Sequence, residues 1–183
     1  DTLDVAIGEL DRMGRLFERL LVLGRAREPV RPDLHDLDLR SFLADFEASC
    51  RVLADRRWIL APVPDAVVRF DETEVRGALL NLVDNAVKAT SDGETISVTA
   101  RVDGPVLRIS VEDSGPGIPE SERTSVLDRF WRPGRGPTTG TGLGLAIVSA
   151  VCQAHDGRVE ITDSELGGAC ITMVLKDPDG GRP

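Results

Sequence analysis

Three polar side chains fall on one face of a predicted helix in the middle of the chain. Asn81, Asn85 and Lys88 are separated by steps of four and three residues, which bring them to the same side of a helix. Asparagine oxygens are hard ligands that suit Mg²⁺, and a lysine ammonium attracts phosphate. A polar stripe on a solvated helix has the same pattern, so a magnesium phosphate site needs support from elsewhere in the sequence.

Two glycine-rich segments add complementary chemistry. Asp113 directly follows a predicted strand, and its carboxylate suits the exocyclic amine of a purine, while Gly115 and Gly117 let the backbone approach the base. Residues 140–145 lead into an apolar helix, whose free N–H groups and positive end suit phosphate oxygens. Their glycine spacing matches neither a Walker loop nor a dinucleotide fingerprint. Between the two runs, residues 129–132 read Arg-Phe-Trp-Arg, in a segment suited to closing over a nucleotide.

Periodicity predicts the elements that would position these groups. Asp71 followed by Glu74 forms a capping box, so we predict a helix from there through Ala89. Other helices are expected over residues 39–55 and 143–154, with one short helical stretch over 120–128. Strands are expected over residues 57–62 and 67–70 around a turn at 64–65, over 95–102 and 106–112 as a hairpin, and over 158–162 and 169–175 as a final pair. These elements predict an α/β (α+β) sandwich, in which a mixed, mostly antiparallel sheet is covered by helices on one face.

The first 28 residues predict a separate helix. Apolar residues recur from Leu3 to Leu20 at alternating steps of three and four, which is typical of an amphipathic helix in a bundle. Pro29 ends this helix, because the residue before a proline is pushed out of the helical region. We therefore expect a bundle helix over 1–28, a linker over 29–36, a larger unit over 37–177 and a tail over 178–183.

Composition excludes several classes of function. With 31 acidic and 22 basic residues the net charge is −9, so we expect no binding to nucleic acid or to an anionic membrane surface. No run of 18 apolar residues is present, which also argues against membrane contact by this segment. Cys50, Cys152 and Cys170 are widely spaced in apolar surroundings, which predicts buried thiols in a reducing compartment. Because the chain begins with Asp1, we interpret it as a piece of a longer polypeptide.

Four segments, in this order, resemble the motifs of sensor histidine kinases. Residues 81–88 (NLVDNAVK) resemble the N-box, 113–118 (DSGPGI) the first glycine box, 129–132 (RFWR) the F-box and 140–145 (GTGLGL) the second glycine box. The resemblance covers about residues 37–176, and the opening helix is similar to the second helix of the kinases' dimerization domain. It implies the GHKL, or Bergerat-type, ATP-binding fold, with ATP and Mg²⁺ as cofactors.

The resemblance implies roles for the first two motifs. Asn85 would bind Mg²⁺, and Lys88 would contact phosphate. Asp113 would hydrogen-bond adenine, in a base pocket that Gly115 and Gly117 shape. The purine site and the metal site would therefore lie on neighbouring segments.

The ATP lid, which is the segment between Phe130 and Gly140, and the second glycine box would complete the phosphate site. Its edge would be formed by the second glycine run and the residues within it, namely Gly140, Thr141, Gly142, Leu143 and Gly144. Phe130 would be a lid aromatic that anchors the segment against the core or against the neighbouring bundle. Charge alone adds Arg132 and Arg135 as phosphate candidates, and a solvated loop arginine explains them equally well.

Asn81 bears on the type of reaction. In the related gyrase-type ATPases the equivalent residue is a glutamate that activates water, and an amide cannot accept a proton in this way. The resemblance therefore implies slow hydrolysis, with Asn81 near the γ-phosphate. The acceptor would be an imidazole that another domain brings in line with that phosphate.

The chain departs from the kinase pattern at the acceptor. The helix that carries the phosphorylated histidine in the family is missing, and only two histidines are present. His35 begins a three-residue match to the acceptor motif, but Asp38 replaces the basic residue and no proline follows, so we do not expect phosphorylation there. His155 is explained by its favourable position at a helix end. Ala89 stands where the family often has an aromatic residue beside the adenine, which predicts weaker binding.

The sequence is thus interpreted as the ATP-binding catalytic portion of a sensor histidine kinase. Its expected partners are ATP, a response-regulator receiver domain and a histidine-containing bundle domain, which is either the upstream part of the same protein or a separate chain, as in a split kinase. We expect the intact protein to be a homodimer. We expect a cytoplasmic location, with any anchor in the inner membrane supplied by segments outside this chain. The alternatives are an anti-sigma-factor serine kinase or gyrase-like ATPase of the same fold, and a non-catalytic nucleotide-binding regulatory module.

Overall fold

The computed structural model describes residues 31–131 and 142–177 of the chain. The predicted bundle helix over 1–28, the residues 132–141 and the tail over 178–183 lie outside the described residues. In chain order the elements are β1 (His35–Asp38), α1 (Leu39–Cys50), β2 (Arg57–Leu60), β3 (Val67–Phe70), α2 (Glu72–Ala89), β4 (Thr95–Asp103), β5 (Val106–Asp113), α3 (Gly144–Ala154), β6 (Arg158–Asp163) and β7 (Ala169–Lys176). Two 3₁₀ helices, Glu120–Glu122 and Ser125–Leu127, follow β5.

A five-stranded sheet in the order β2-β4-β5-β7-β6 forms one layer of the domain. Strand β2 pairs with β4 in parallel, and the three other pairs are antiparallel. Along β5, buried Leu107, Ile109 and Val111 alternate with half-buried polar residues, so only one face of the sheet is packed. That face joins the apolar sides of the three helices in a single core cluster. The predicted α/β sandwich with helices on one face is therefore confirmed.

A second, two-stranded sheet lies outside the sequence expectations. Strand β1 pairs antiparallel with β3, with His35 opposite Phe70 and Asp38 opposite Val67. Residues 35 and 36 were expected in the linker, because a strand that reads His-Asp-Leu-Asp has no apolar alternation of its own. The strand forms through pairing with residues 29 to 35 positions further along the chain. The two strands predicted on either side of residues 64–65 are present as β2 and β3, and they belong to different sheets.

The helix that carries the N-box resemblance begins as predicted. The Asp71 carboxylate accepts a hydrogen bond of 3.0 Å from the Glu74 N–H, which caps the first turn of α2. The predicted helix over 39–55 ends earlier, at Cys50, and residues 51–55 form turns. The stretch over 120–128, predicted as helical, contains only the two short 3₁₀ helices. The first difference concerns a helix end, where local periodicity is least decisive.

The cysteines are all free thiols, and two of them are buried as predicted. Burial raises the pKa of Cys50 to about 11 and that of Cys152 to about 12, so both thiols stay protonated at neutral pH. Cys170 is only half-buried, because it points to the open face of the sheet opposite Glu112. Across the described residues, no helix has the length and apolar character that a membrane span requires.

Candidate functional site

The two asparagines of the polar stripe meet the start of α3. A Cβ atom placed on Gly144, the first residue of α3, would lie 3.3 Å from Asn81 Oδ1 and 3.7 Å from Asn85 Nδ2. A larger residue at position 144 would therefore press against Asn81. Glycine lets the beginning of α3 approach the middle of α2 at the two amides.

The N-terminus of α3 has no side-chain cap among the residues that the structure describes. Leu143 occupies the N-cap position with its side chain fully buried, and no side-chain oxygen of residues 31–131 or 142–177 accepts the first N–H groups of the helix. The first turn contains no acidic residue either. The positive end of α3 is thus left for an anionic ligand beside Asn81 and Asn85.

Asn85 has unused hydrogen-bonding capacity. Its Nδ2 atom is buried and has no hydrogen-bond partner among the described residues, whereas Asn81 Nδ2 donates to the Gly77 carbonyl over 3.0 Å. A buried amide without a partner costs free energy that a ligand can recover. The orphaned Asn85 amide therefore fits a residue whose partner is a bound group.

Lys88 lies one turn beyond Asn85, but its ammonium is engaged elsewhere. It forms an ion pair with Asp84, four residues earlier on α2. Both side chains are partly exposed, so the pair is weak and opens at little cost. Lys88 is thus placed on the predicted helix face, while its charge is paired along the surface of the helix.

Asp113 continues the inward row of β5 and is buried. Only 5% of the residue is exposed, and its Oδ1 atom accepts hydrogen bonds from the backbone N–H groups of Gly115 (2.9 Å) and Ala169 (3.3 Å). Burial raises the pKa of this carboxyl above its ordinary value; the two N–H bonds oppose that rise, and the charge of Glu94 adds to it. A buried carboxylate at a strand end marks a candidate for ligand recognition.

Glycines let the backbone close around Asp113. A Cβ on Gly115 would lie 2.5 Å from the Ala89 carbonyl oxygen, so the turn after β5 packs tightly on the last turn of α2. Gly117 has φ +74°, a conformation that favours glycine. A Cβ on Gly168 would lie 2.1 Å from Asp113 Oδ1, which only glycine permits. Sequence analysis missed Gly168, because the pair of glycines at 167–168 has the ordinary signature of a hairpin turn.

The two ends of the predicted lid are joined. The Phe130 N–H donates to the Gly142 carbonyl over 2.8 Å, and Gly142 has φ +69° with Trp131 O only 2.6 Å from where its Cβ would lie. Phe130 itself has φ 66° and is 60% exposed. Its ring therefore does not pack into the core, so the first of its two expected positions is wrong. The second, contact with a neighbouring bundle, stays a prediction. Arg132, Arg135, Gly140 and Thr141 lie outside the described residues.

Both histidines lie away from these groups. His155 is buried at the end of α3, where its Nε2 accepts the Asp71 N–H over 3.1 Å and its Nδ1 donates to the Val151 carbonyl over 2.9 Å. Both ring nitrogens are thereby used in holding α3 against the start of α2. His35 is exposed on β1, with Nε2 3.1 Å from Asp33 Oδ2.

Comparisons with known proteins place these segments in context. Residues 70–179 match the family described as "Histidine kinase-, DNA gyrase B-, and HSP90-like ATPase". The chain is 32% identical over 178 residues to the aerobic respiration control sensor protein ArcB of Escherichia coli, which covers 91% of this chain and 23% of ArcB. It is also 32% identical over 174 residues to the sensor-like histidine kinase SenX3 of Mycobacterium tuberculosis, which covers 91% of this chain and 42% of SenX3. The chain therefore spans less than half the length of these relatives.

Solved structures show the same similarity. The mycobacterial sensor histidine kinase MprB superimposes with a TM-score of 0.68 at 30% identity, over 81% of this chain and 98% of that structure. The ATP binding domain of PrrB from Mycobacterium tuberculosis superimposes with a TM-score of 0.63 at 29% identity, over 80% of this chain and 98% of that domain. Both solved structures are thus similar to this chain over about four fifths of its length.

Proposed function

Because this chain belongs to the histidine kinase-, DNA gyrase B- and HSP90-like ATPase family, as the ATP-binding catalytic domain of a sensor histidine kinase, we propose that it transfers the γ-phosphate of ATP to a histidine on a dimerization bundle. One observation carries the proposal: two separated segments converge on α2. The start of α3 meets Asn81 and Asn85, and the turn after β5 meets Ala89. A nucleotide held by both segments would place its phosphates at α3 and its base near Asp113.

Each side chain then has a distinct task. Asp113 accepts the exocyclic amine of adenine through its carboxylate, and Gly115 and Gly117 leave room for the base. Asn85 supplies its amide oxygen to Mg²⁺, while its buried Nδ2, a donor without a partner among the described residues, suits an acceptor such as a phosphate oxygen. Mg²⁺, when bound, neutralises charge on the phosphate oxygens. Lys88 turns from Asp84 to a phosphate.

The second glycine run holds the phosphates. Gly142, Leu143 and Gly144 present backbone N–H groups at the uncapped end of α3. Gly140, Thr141, Arg132 and Arg135 extend this edge in our proposal, and Phe130, exposed beside them in sequence, contacts the bundle. The lid and the bundle would thereby meet next to the transferred phosphate.

Asn81 favours transfer over hydrolysis. Asn81 lies on α2 beside the start of α3, and its Nδ2 donates to the Gly77 carbonyl, so it can orient a phosphate oxygen but cannot accept a proton from water. The attacking nucleophile must therefore bring its own base, as an imidazole does. A gyrase-like ATPase would need a carboxylate at this position.

The partners follow from the same chemistry. His155 is buried with both nitrogens bonded, so we propose that the acceptor histidine lies on another helix of the bundle domain, upstream in the same protein or on a separate chain. Residues 1–28 would form the second helix of that bundle, 29–36 the connection, 37–177 the catalytic unit and 178–183 a tail. The phosphate would pass on to an aspartate of a response-regulator receiver domain. We further propose that the intact protein is a homodimer and that this part lies in the cytoplasm.

A transfer assay tests the proposal. The 183-residue chain is mixed with Mg²⁺, ATP labelled at the γ-phosphate, and a purified dimerization bundle from a sensor histidine kinase. We expect acid-labile, alkali-stable label on the bundle, as a phosphohistidine requires. A bundle whose acceptor histidine is replaced by alanine serves as the matched control and should carry no label.

Three outcomes contradict the proposal. Acid-stable label on serine or threonine would indicate a serine kinase. Release of inorganic phosphate at the same rate with and without the bundle would indicate a hydrolase. Label on His35, detected by mass spectrometry after mild alkaline digestion, would place the acceptor within this chain.

A further inference from the structure

A buried arginine outside the motif segments binds the end of α2. The Arg56 side chain, at the start of β2, is only 9% exposed. Its Nε donates to Thr90 Oγ1 (2.9 Å), and one terminal nitrogen donates to the carbonyls of Val87 (3.3 Å) and Thr90 (2.8 Å). The other terminal nitrogen donates to the Asp55 carbonyl (3.1 Å) and to Asp92 Oδ1 (2.5 Å). All five N–H donors of the guanidinium therefore have an acceptor.

These bonds fix the last turn of α2 and the loop that follows it. A helix leaves its last carbonyls short of partners inside the helix, and Arg56 donates to that of Val87, which also accepts the Thr90 N–H over 3.4 Å. The Thr90 hydroxyl, which accepts from Arg56, donates in turn to the Ala86 carbonyl over 2.7 Å. The residues between these two bonded positions include Lys88 and Ala89, so Arg56 holds the stretch that follows Asn85.

The same stretch forms a wall of the base pocket in the proposed function. The Ala89 carbonyl touches the Gly115 backbone so closely that a Cβ on Gly115 would lie 2.5 Å away. Beyond the loop, Thr95 and Ser114 exchange two hydrogen bonds, of 3.0 and 3.1 Å. The turn that carries Asp113 is therefore seated on a segment whose position depends on Arg56.

We propose that Arg56 is a positioning residue for the nucleotide: it sets the distance between the last turn of α2 and the Asp113 turn, and thereby the fit of the adenine base. The inference rests on the proposed function. Lysine cannot replace Arg56, because an ammonium has three donors on one atom and cannot span the carbonyls, the hydroxyl and the carboxylate together. The planar fork of arginine is what matches this spread of acceptors.

Arg56→Lys tests the proposal in the full chain. Isothermal titration with Mg-ATP and Mg-GTP is done at a temperature where near-ultraviolet circular dichroism of buried Trp58 shows the variant to be fully folded. We expect the Kd for ATP to rise about tenfold, since small misplacement of a positioned group has effects of this size. The preference for ATP over GTP should shrink at the same time. Arg101→Lys, an exposed arginine of β4, is the matched control and should leave both affinities unchanged.

A second pair of variants keeps the test informative if Arg56→Lys does not fold. Thr90→Val removes the hydroxyl that links Arg56 to Ala86, whereas Thr90→Ser keeps it. We expect Thr90→Val to weaken ATP binding and to lower the ATP preference, with Thr90→Ser restoring most of both.

The possible results separate the two proposals. If folded Arg56→Lys binds ATP and GTP as the unaltered chain does, Arg56 only stabilises the fold and the inference is wrong. Equal weakening of ATP and GTP would contradict a role in fitting the base. If the unaltered chain itself binds no ATP, the proposed function fails, and this result is distinct from either outcome for Arg56.

Discussion

Replacing Asn85 should weaken nucleotide binding without lowering the stability of the fold. Asn85→Ala removes a buried polar atom that has no partner among the described residues, so the free energy of unfolding should stay the same or rise. Mg-dependent binding of ATP should fall by about 100-fold, the upper range for loss of a group that supports a metal. Isothermal titration with ATP in the presence of Mg²⁺ and then of EDTA measures the Mg-dependent and the Mg-independent parts of the ATP affinity.

A matched control for Asn85 is available on α3. Gln153→Ala removes an amide from an exposed position, where it bonds only to Ser149 among the described residues. It should change neither the affinity nor the stability. Unchanged Mg-dependent binding by Asn85→Ala would show that this amide does not serve the metal.

The two carboxylate oxygens of Asp113 make different contacts, which predicts a change of base preference. Oδ1 accepts both backbone bonds, whereas Oδ2 accepts none from the residues that the structure describes. In Asp113→Asn the amide oxygen can keep both bonds, and the amide nitrogen then faces the ligand as a donor. Binding of ATP should weaken by about 1–3 kcal/mol, while GTP should gain relative to ATP because guanine presents an acceptor at O6. Competition titrations give the ratio, and equal losses for both nucleotides would contradict base recognition.

The pKa of Asp113 also predicts a dependence of stability on pH. Burial raises this pKa above 3.8 in the folded chain, so the unfolded chain ionises first as pH rises. The contribution of Asp113 to stability is therefore complete below 3.8 and is lost as pH rises through the raised pKa. At pH 7 Asp113→Asn should be at least as stable as the unaltered chain, and this advantage should disappear in acid. Urea denaturation at both pH values checks the sign, and a variant less stable at pH 7 would contradict it.

At the residue scale, chemical type was predictable and contacts across the chain were not. Asn85 could be chosen from the sequence because its spacing places it on one helix face with Asn81 and Lys88, and Asp113 because glycines follow it at the end of a predicted strand. Arg56 and Gly168 belong to no sequence motif that would have indicated a role in the site. Their importance depends on acceptors up to 55 residues away, Asp113 for Gly168 and Thr90 for Arg56, and only the folded chain brings these together. Lys88 was predicted on the correct face, but its pairing with Asp84 was not.

Among the elements, α2 depends on its cap. Asp71 Oδ1 accepts from the Glu74 N–H and Oδ2 accepts from the Asp33 N–H over 2.9 Å, so one carboxylate joins the helix to the preceding segment. Asp71→Ala should lower the free energy of unfolding by about 1–2 kcal/mol. Asp71→Ser retains an oxygen that caps the helix and should recover most of the loss, as measured by urea denaturation. Equal losses in both variants would show that the cap contributes little.

At the element scale, strong local signals were sufficient and weak ones were not. The capping box at Asp71 and the turn at residues 103–104 predicted α2 and the β4–β5 hairpin correctly, because these signals act within a few residues. Strand β1 escaped prediction because two aspartates and a histidine leave no apolar face to recognise. Its strand conformation comes from the edge that β3 offers.

At the scale of the whole molecule, the site is a property of the topology. Strand β2 joins β4 in parallel although the chain passes through β3 and α2 between them, and this crossover lays α2 across the packed face of the sheet. The order of elements was readable from the sequence, but the partner of β2 was not, since two short strands separated by a turn also fit a hairpin. The crossover is what brings Arg56 beneath the end of α2.

The last prediction concerns where the catalytic unit begins. A chain starting at Leu39 lacks β1 and the Asp33 N–H bond to Asp71, whereas one starting at Arg31 keeps both. The shorter chain should lose at least about 1 kcal/mol of unfolding free energy, the size of one net hydrogen bond, and its bare β3 edge should promote association. Urea denaturation and sedimentation velocity measure these effects, with the chain from Arg31 as the matched control. ATP affinity of the folded fraction should be equal in the two chains, because no residue before Leu39 contacts α3 or the Asp113 turn in the described hydrogen bonds. Equal stability of the two chains would mean that β1 belongs to the connection and not to the catalytic unit.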